Sequence, residues 1–145
     1  MRIVLLGVPG SGKGTQAKLM AEKYRVPQIS TGDILRAAVA DKTEVGKKVA
    51  AVMAAGELVS DDIILSMIRG KLEKRSNVGF IFDGFPRNLE QAKALDKILH
   101  ELKLSLDSVI EIVVNDEVLI NRIENRARES KNARNDDNEE VLKNR

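Results

Sequence analysis

The apolar positions change period at a glycine-rich stretch near the start of the chain. Met1 to Leu6 is apolar except for Arg2 and stops at Gly7, the pattern of a short buried strand running into a loop. From Lys13 onward the spacing is helical. Ala17, Met20, Ala21 and Tyr24 recur at i, i+3, i+4 and i+7, which predicts a helix that begins inside the loop and buries that face on a sheet. Pro27 leaves room for a short strand, Gln28 to Ser30, before Thr31 offers a helix N-cap.

Between Thr31 and Val59 the pattern is helical twice, first through Ile34, Leu35, Ala38 and Val39, then through Val45, Val49, Val52 and Met53. Ser60, backed by Asp61 and Asp62, predicts another helix start, with Ile63, Ile64, Met67 and Ile68 as its apolar face up to about Lys74. Val78 to Asp83 reads as a buried strand ending on a carboxylate. Asn88 to Leu102 reads as a helix with Ala92, Leu95, Leu99 and Leu102 on one side. Val109 to Val114 is the next strand, and Asp116 caps a helix carrying Leu119, Ile120 and Ile123. Arg126 to Asn135 is charged and aperiodic, a mobile loop in this reading, and Asp136 with Glu139 reads as a capping box for a last helix.

Strands alternating with helices of this length call for right-handed crossovers and a parallel sheet covered on both faces, an α/β fold. The 145 residues suffice for one domain with a sizeable core. With 43% hydrophobic and 32% charged residues and no apolar run of bilayer length, the composition is that of a soluble globular protein with no membrane partner. Zero cysteines exclude disulfides, thiolate zinc sites and cysteine nucleophiles, and fit a cytoplasmic protein. The net charge of +2 advertises no nucleic acid. His100 reads as a surface or boundary residue.

The chemistry begins at Gly7-Val8-Pro9-Gly10-Ser11-Gly12-Lys13, which matches the phosphate-loop pattern G-x-x-x-x-G-K directly after a strand and at the mouth of a helix. Glycines let the backbone curl so that N–H groups converge on phosphate oxygens, the helix N-terminus adds positive potential, and Lys13 brings a full charge. The next residue is Gly14, and the hydroxyl that often follows the lysine comes one later, at Thr15.

This spelling closely resembles the adenylate kinase family of nucleoside monophosphate kinases. Further matches follow in order: Ser30-Thr31-Gly32-Asp33-Ile34-Leu35-Arg36, then Asp83-Gly84-Phe85-Pro86-Arg87 with Gln91, then Arg122, Arg126, Arg134 and Arg145. The resemblance implies a P-loop NTPase-type parallel sheet with helices on both faces. Its core would be 1–29, 60–121 and 136–145, with a helical monophosphate-binding insertion at 30–59 and a short lid at 122–135, lacking the zinc-binding insert. It also implies that the chain stops before the further strand and helix with which family members complete the sheet.

By the same resemblance, Gly10, Ser11, Gly12, Lys13, Gly14, Thr15, Arg122 and Arg126 bind ATP. AMP falls to Thr31, Arg36, Glu57, Leu58, Val59, Gly84, Phe85, Pro86, Arg87, Gln91, Arg134 and Arg145. Lys13, Arg87, Arg122, Arg126, Arg134 and Arg145 surround the transferring group, and Asp83, with Asp33 as a second carboxylate, orders Mg2+ through water. On the residues alone, Thr31 reads more simply as an N-cap, and Gln91 reads also as the partner of Asn88 in a capping box.

The implied reaction is ATP + AMP = 2 ADP in a monomer. A pyrimidine (UMP/CMP) kinase and a non-catalytic nucleotide-binding module are the alternatives, Thr31 and Gln91 arguing against the first. A guanine switch would carry Asn-Lys-x-Asp and Asp-x-x-Gly, which the sequence lacks.

Overall fold

The computed structural model describes residues 1–54, 59–74, 78–115, 118–119 and 122. Among them lie four strands, β1 (Arg2–Leu6), β2 (Gln28–Ser30), β3 (Phe80–Asp83) and β4 (Ser108–Glu111), and five helices. The helices are α1 (Lys13–Tyr24), α2 (Thr31–Ala40), α3 (Glu44–Ala54), α4 (Asp61–Glu73) and α5 (Leu89–Glu101). All strand pairs are parallel, in the order β2-β3-β1-β4. The α/β class and the parallel sheet are those the periodicity implied.

Alternation along the strands divides the core between two faces. Val4, Phe80 and Phe82 point to one side, where they meet Ile68 and Leu72 of α4 and Leu95, Ile98 and Leu99 of α5. Ile3, Leu5 and Ile81 point to the other and pack with Ala17 of α1. The Phe82 ring is fully buried, with its centroid 4.9 Å from that of Phe80 and 5.7 Å from that of Phe85.

Four local expectations are corrected. Thr31 is the first residue of α2 and not its cap; Ser30 caps, its Oγ accepting from the Asp33 N–H at 3.4 Å. Tyr24 and Val45 are exposed, Tyr24 because α1 ends there, Arg25 turning into the left-handed region at φ 54°. Val78 is also exposed, because the strand begins at Phe80, whose N–H bonds to Met1 O at 2.8 Å. Finally, β4 is exposed along its whole length and the strand ends at Glu111, short of Val114. It sits at the sheet edge, paired with β1 alone, so the expected two-sided cover does not reach it among the described residues. His100 is exposed on α5 as expected. The readings of Arg126–Asn135, of Asp116 and of Asp136 with Glu139 lie outside the described residues.

Candidate active site

Sheet order decides which motifs meet. Parallel pairing places Asp83 at the end of β3 beside Leu5 of β1 on one side and Ser30 of β2 on the other. The loop after β1, the loop after β3 and the start of α2 therefore open at the same carboxyl edge, where ligands bind in parallel α/β sheets.

The phosphate loop leaves β1 through Gly7, at φ 142°, where an added Cβ would stand 2.6 Å from the Ile112 carbonyl oxygen. Gly10 and Gly12, at φ 84° and 98°, complete the curl, and the Ser11 N–H closes it onto Val8 O at 3.1 Å. The first turn of α1 has no side-chain cap, so its N–H groups face the loop. Lys13 Nζ spans the loop, donating to Gly7 O at 2.6 Å and Val8 O at 2.8 Å. The hydroxyl of Ser11 is buried without a hydrogen-bond partner among the described residues. Arg122 overhangs it, its Nη1 3.5 Å from Ser11 O.

Asp83 faces this loop. Its Oδ2 accepts from Gln28 Nε2 at 3.0 Å, and an added Cβ on Gly14 would stand 3.3 Å from the same oxygen. The glycine after the lysine thus keeps clear the space between loop and carboxylate. A cleft of about 1060 Å³ runs over these groups, with Gly10, Gly12, Thr15, Asp83, Arg36 and Arg122 among its lining residues. That is room for a nucleotide.

On the other side of Asp83, Thr31 Oγ1 donates to Gly84 O at 3.2 Å, and Arg87 reaches both, donating from Nε to Gly84 O at 2.7 Å and from Nη2 to Thr31 Oγ1 at 3.4 Å. Gly84 turns the chain at φ 74°. Phe85 sends its ring into the core beside Phe82, which leaves Pro86 and Arg87 to carry the loop outward. Gln91 is buried, its Oε1 accepting from the Arg87 N–H at 2.8 Å and its Nε2 donating to Asp61 Oδ1 at 2.6 Å. Arg36 is half exposed and paired with Asp33, so the two side chains hold each other at the cleft wall. Val59 is partly buried just before α4.

Glu57, Leu58, Arg126, Arg134 and Arg145 lie outside the described residues. Two side chains of the site have a role there that no sequence signal announces: Gln28, which holds Asp83, and Asp61, which reads only as a first-turn acid of α4 and holds Gln91. Each acts across an element boundary, and neither belongs to a spaced motif.

A sequence model described as adenylate kinase matches residues 5–145. A protein of Rhizobium meliloti (strain 1021) called adenylate kinase is 51% identical over 150 residues, an alignment covering 100% of this chain and 78% of that relative. An adenylate kinase of Leptospira biflexa is 53% identical over 145 residues, covering 99% of this chain and 77% of the relative. For that of Thermobifida fusca the identity is 51% over 146 residues, covering 100% and 76%. Identity at this level along the whole of this chain, whose phosphate loop, Asp83 and Arg87 meet at one sheet edge, means that this chain belongs to the adenylate kinase family.

Proposed function

We propose that this chain catalyses reversible transfer of the terminal phosphoryl group of ATP to AMP, giving two ADP. The observation that carries the reading is the adjacency of the lysine-bearing loop after β1 and the Thr31, Gly84 and Arg87 cluster after β3, on neighbouring strands either side of Asp83. Donor and acceptor phosphates held at these places approach each other across one carboxylate.

The chemistry asks for positioning and charge neutralisation. A monophosphate oxygen is already anionic near neutral pH, so no general base is required. Lys13 is satisfied by two carbonyls of its own loop, which holds the cradle curled; phosphate oxygens entering the loop compete for the same ammonium. The N–H groups of α1 offer further donors on that side. On the acceptor side, Arg87 presents a guanidinium suited to bidentate phosphate contact, and Arg36, exchanging Asp33 for phosphate, supplies a second. Arg122 lies against the ATP side of the loop. Arg126, Arg134 and Arg145 complete the charge around the transferring group. Thr31 and Gln91 face the acceptor base, with the backbone at Glu57, Leu58 and Val59 as its other wall.

Asp83 fits a hydrated magnesium ion brought by ATP, because the absent side chain at Gly14 leaves space beside its Oδ2. When bound, Mg2+ neutralises charge on the phosphate oxygens. Asp33 stands on the same cleft as a second carboxylate.

Closing of the 30–59 insertion and the 122–135 lid over the nucleotides excludes water and completes the arginine set. The protein works as a monomer in the cytoplasm, the cysteine-free composition supporting the compartment. No described helix is long and apolar enough to cross a membrane. The deciding experiment is ADP formation by the purified chain with Mg2+ and ATP against AMP, CMP and UMP in parallel. Fast transfer to AMP alone is expected, and equal or faster transfer to CMP or UMP would reassign the acceptor.

A further inference from the structure

Gln91 is 4% exposed, and both ends of its amide are engaged. Its Oε1 accepts from the Arg87 N–H at 2.8 Å, and its Nε2 donates to Asp61 Oδ1 at 2.6 Å. The other oxygen of Asp61 accepts from Asn88 Nδ2 at 3.3 Å, while Asn88 Oδ1 caps α5 by accepting from the Gln91 N–H at 2.7 Å. One carboxylate in the first turn of α4 therefore grips two side chains at the start of α5.

A glutamine amide is nearly symmetric in shape and opposite in polarity at its two ends. Rotated by half a turn, Gln91 would set Oε1 against a carboxylate oxygen and Nε2 against an N–H donor, replacing two attractions with two repulsions. An ionised carboxylate only accepts, so Asp61 admits the NH2 end alone. With one N–H given to Asp61 and one carbonyl lone pair to Arg87, the amide keeps one N–H and one lone pair, in a fixed order, for a ligand.

We propose that Asp61 is a positioning residue for base recognition: by fixing the polarity of the Gln91 amide it makes the acceptor site select adenine, with its acceptor at N1 and donor at N6. It thereby rejects a base with an N1–H donor and a carbonyl at position six. The proposal rests on the reading above that Gln91 faces the acceptor base. Asparagine at position 61 has nearly the same shape but presents a donor or an acceptor equally well, and so leaves the Arg87 N–H alone to hold the order of the amide.

The test is equilibrium binding of AMP and of inosine monophosphate to the wild-type chain and to Asp61→Asn, Asp61→Ser and Gln91→Ala, by titration calorimetry. ATP binding and thermal melting serve as folding controls. Wild type is expected to favour AMP by on the order of 100-fold, because mismatched buried donors and acceptors discriminate strongly. Each Asp61 variant should shrink that ratio by about 10-fold, with ATP affinity held within about 2-fold. A purely structural role would weaken both monophosphates together and leave the ratio unchanged. An unchanged ratio in a folded Asp61 variant, with the ratio lost in Gln91→Ala, overturns the role of Asp61 and leaves the Gln91 reading intact. A ratio preserved in Gln91→Ala, or absent from wild type, overturns the base-reading role of Gln91 and the proposal with it.

Discussion

Gly14 and Asp83 are close enough that a single methyl group would join them: a Cβ on the glycine would lie 3.3 Å from Oδ2 of the carboxylate. That oxygen is also held by Gln28, so it yields only by lengthening a 3.0 Å hydrogen bond. Alanine favours helix over glycine by about 1 kcal/mol, and position 14 is in the first turn of α1. Gly14→Ala should therefore leave the melting temperature unchanged or higher while lowering transfer by about 10-fold and raising the Mg2+ concentration for half-maximal rate. A Mg2+ titration of the rate beside a thermal melt checks both halves.

Lys13 bonds to two carbonyls of its own loop and is the full positive charge at the neck of the cradle. Replacing it with methionine keeps the length of the side chain and removes the charge where negative charge accumulates. Lys13→Met should reduce transfer by about 1000-fold or more, with circular dichroism close to wild type. A near-normal rate would remove Lys13 from the reacting centre.

Arg87 is tied to Gly84 and Thr31, and in the proposed function it holds the acceptor phosphate. Truncating it should act on the monophosphate far more than on ATP. Arg87→Ala is expected to cut kcat/KM for AMP by about 100-fold and to change the KM for ATP by less than about 3-fold. Steady-state kinetics with each substrate varied in turn gives the answer.

Gly46, inside α3, passes so close to the backbone of α2 that a Cβ would overlap the Ala38 carbonyl oxygen. Those two helices pack on each other, and α2 carries Arg36. Gly46→Ala should force the helices apart, costing about 2 kcal/mol by overpacking, and should raise the KM for AMP while the KM for ATP holds. Hydrogen exchange should show loss of protection confined to residues 31–54.

Phe82 is the centre of the larger core cluster, fully buried between Phe80 and Phe85. Phe82→Ala should cost about 3–5 kcal/mol, a large share of the stability of an ordinary domain. Urea denaturation followed by far-UV circular dichroism measures it.

Much of this protein is determined within short windows of its sequence. The glycine spacing before Lys13 dictates a curled loop, because only residues without a Cβ adopt φ values of 84° to 142° freely there. The switch from apolar runs to 3.6-residue spacing places the described strands and α1, α4 and α5 within a few residues of their observed ends, and two helices between Thr31 and Val59. Ends go astray where a neighbour in space decides: Ser30 caps α2 instead of Thr31, whose hydroxyl is taken by Gly84, and Phe80 starts its strand against Met1. The strand order, the exposure of β4, the hold of Gln28 on Asp83 and that of Asp61 on Gln91 belong to the tertiary structure alone. Local sterics and periodic burial act between residues a few positions apart and leave a repeating signal. A single hydrogen bond spanning 30 or 55 positions depends on where the sheet has put both partners, and leaves none.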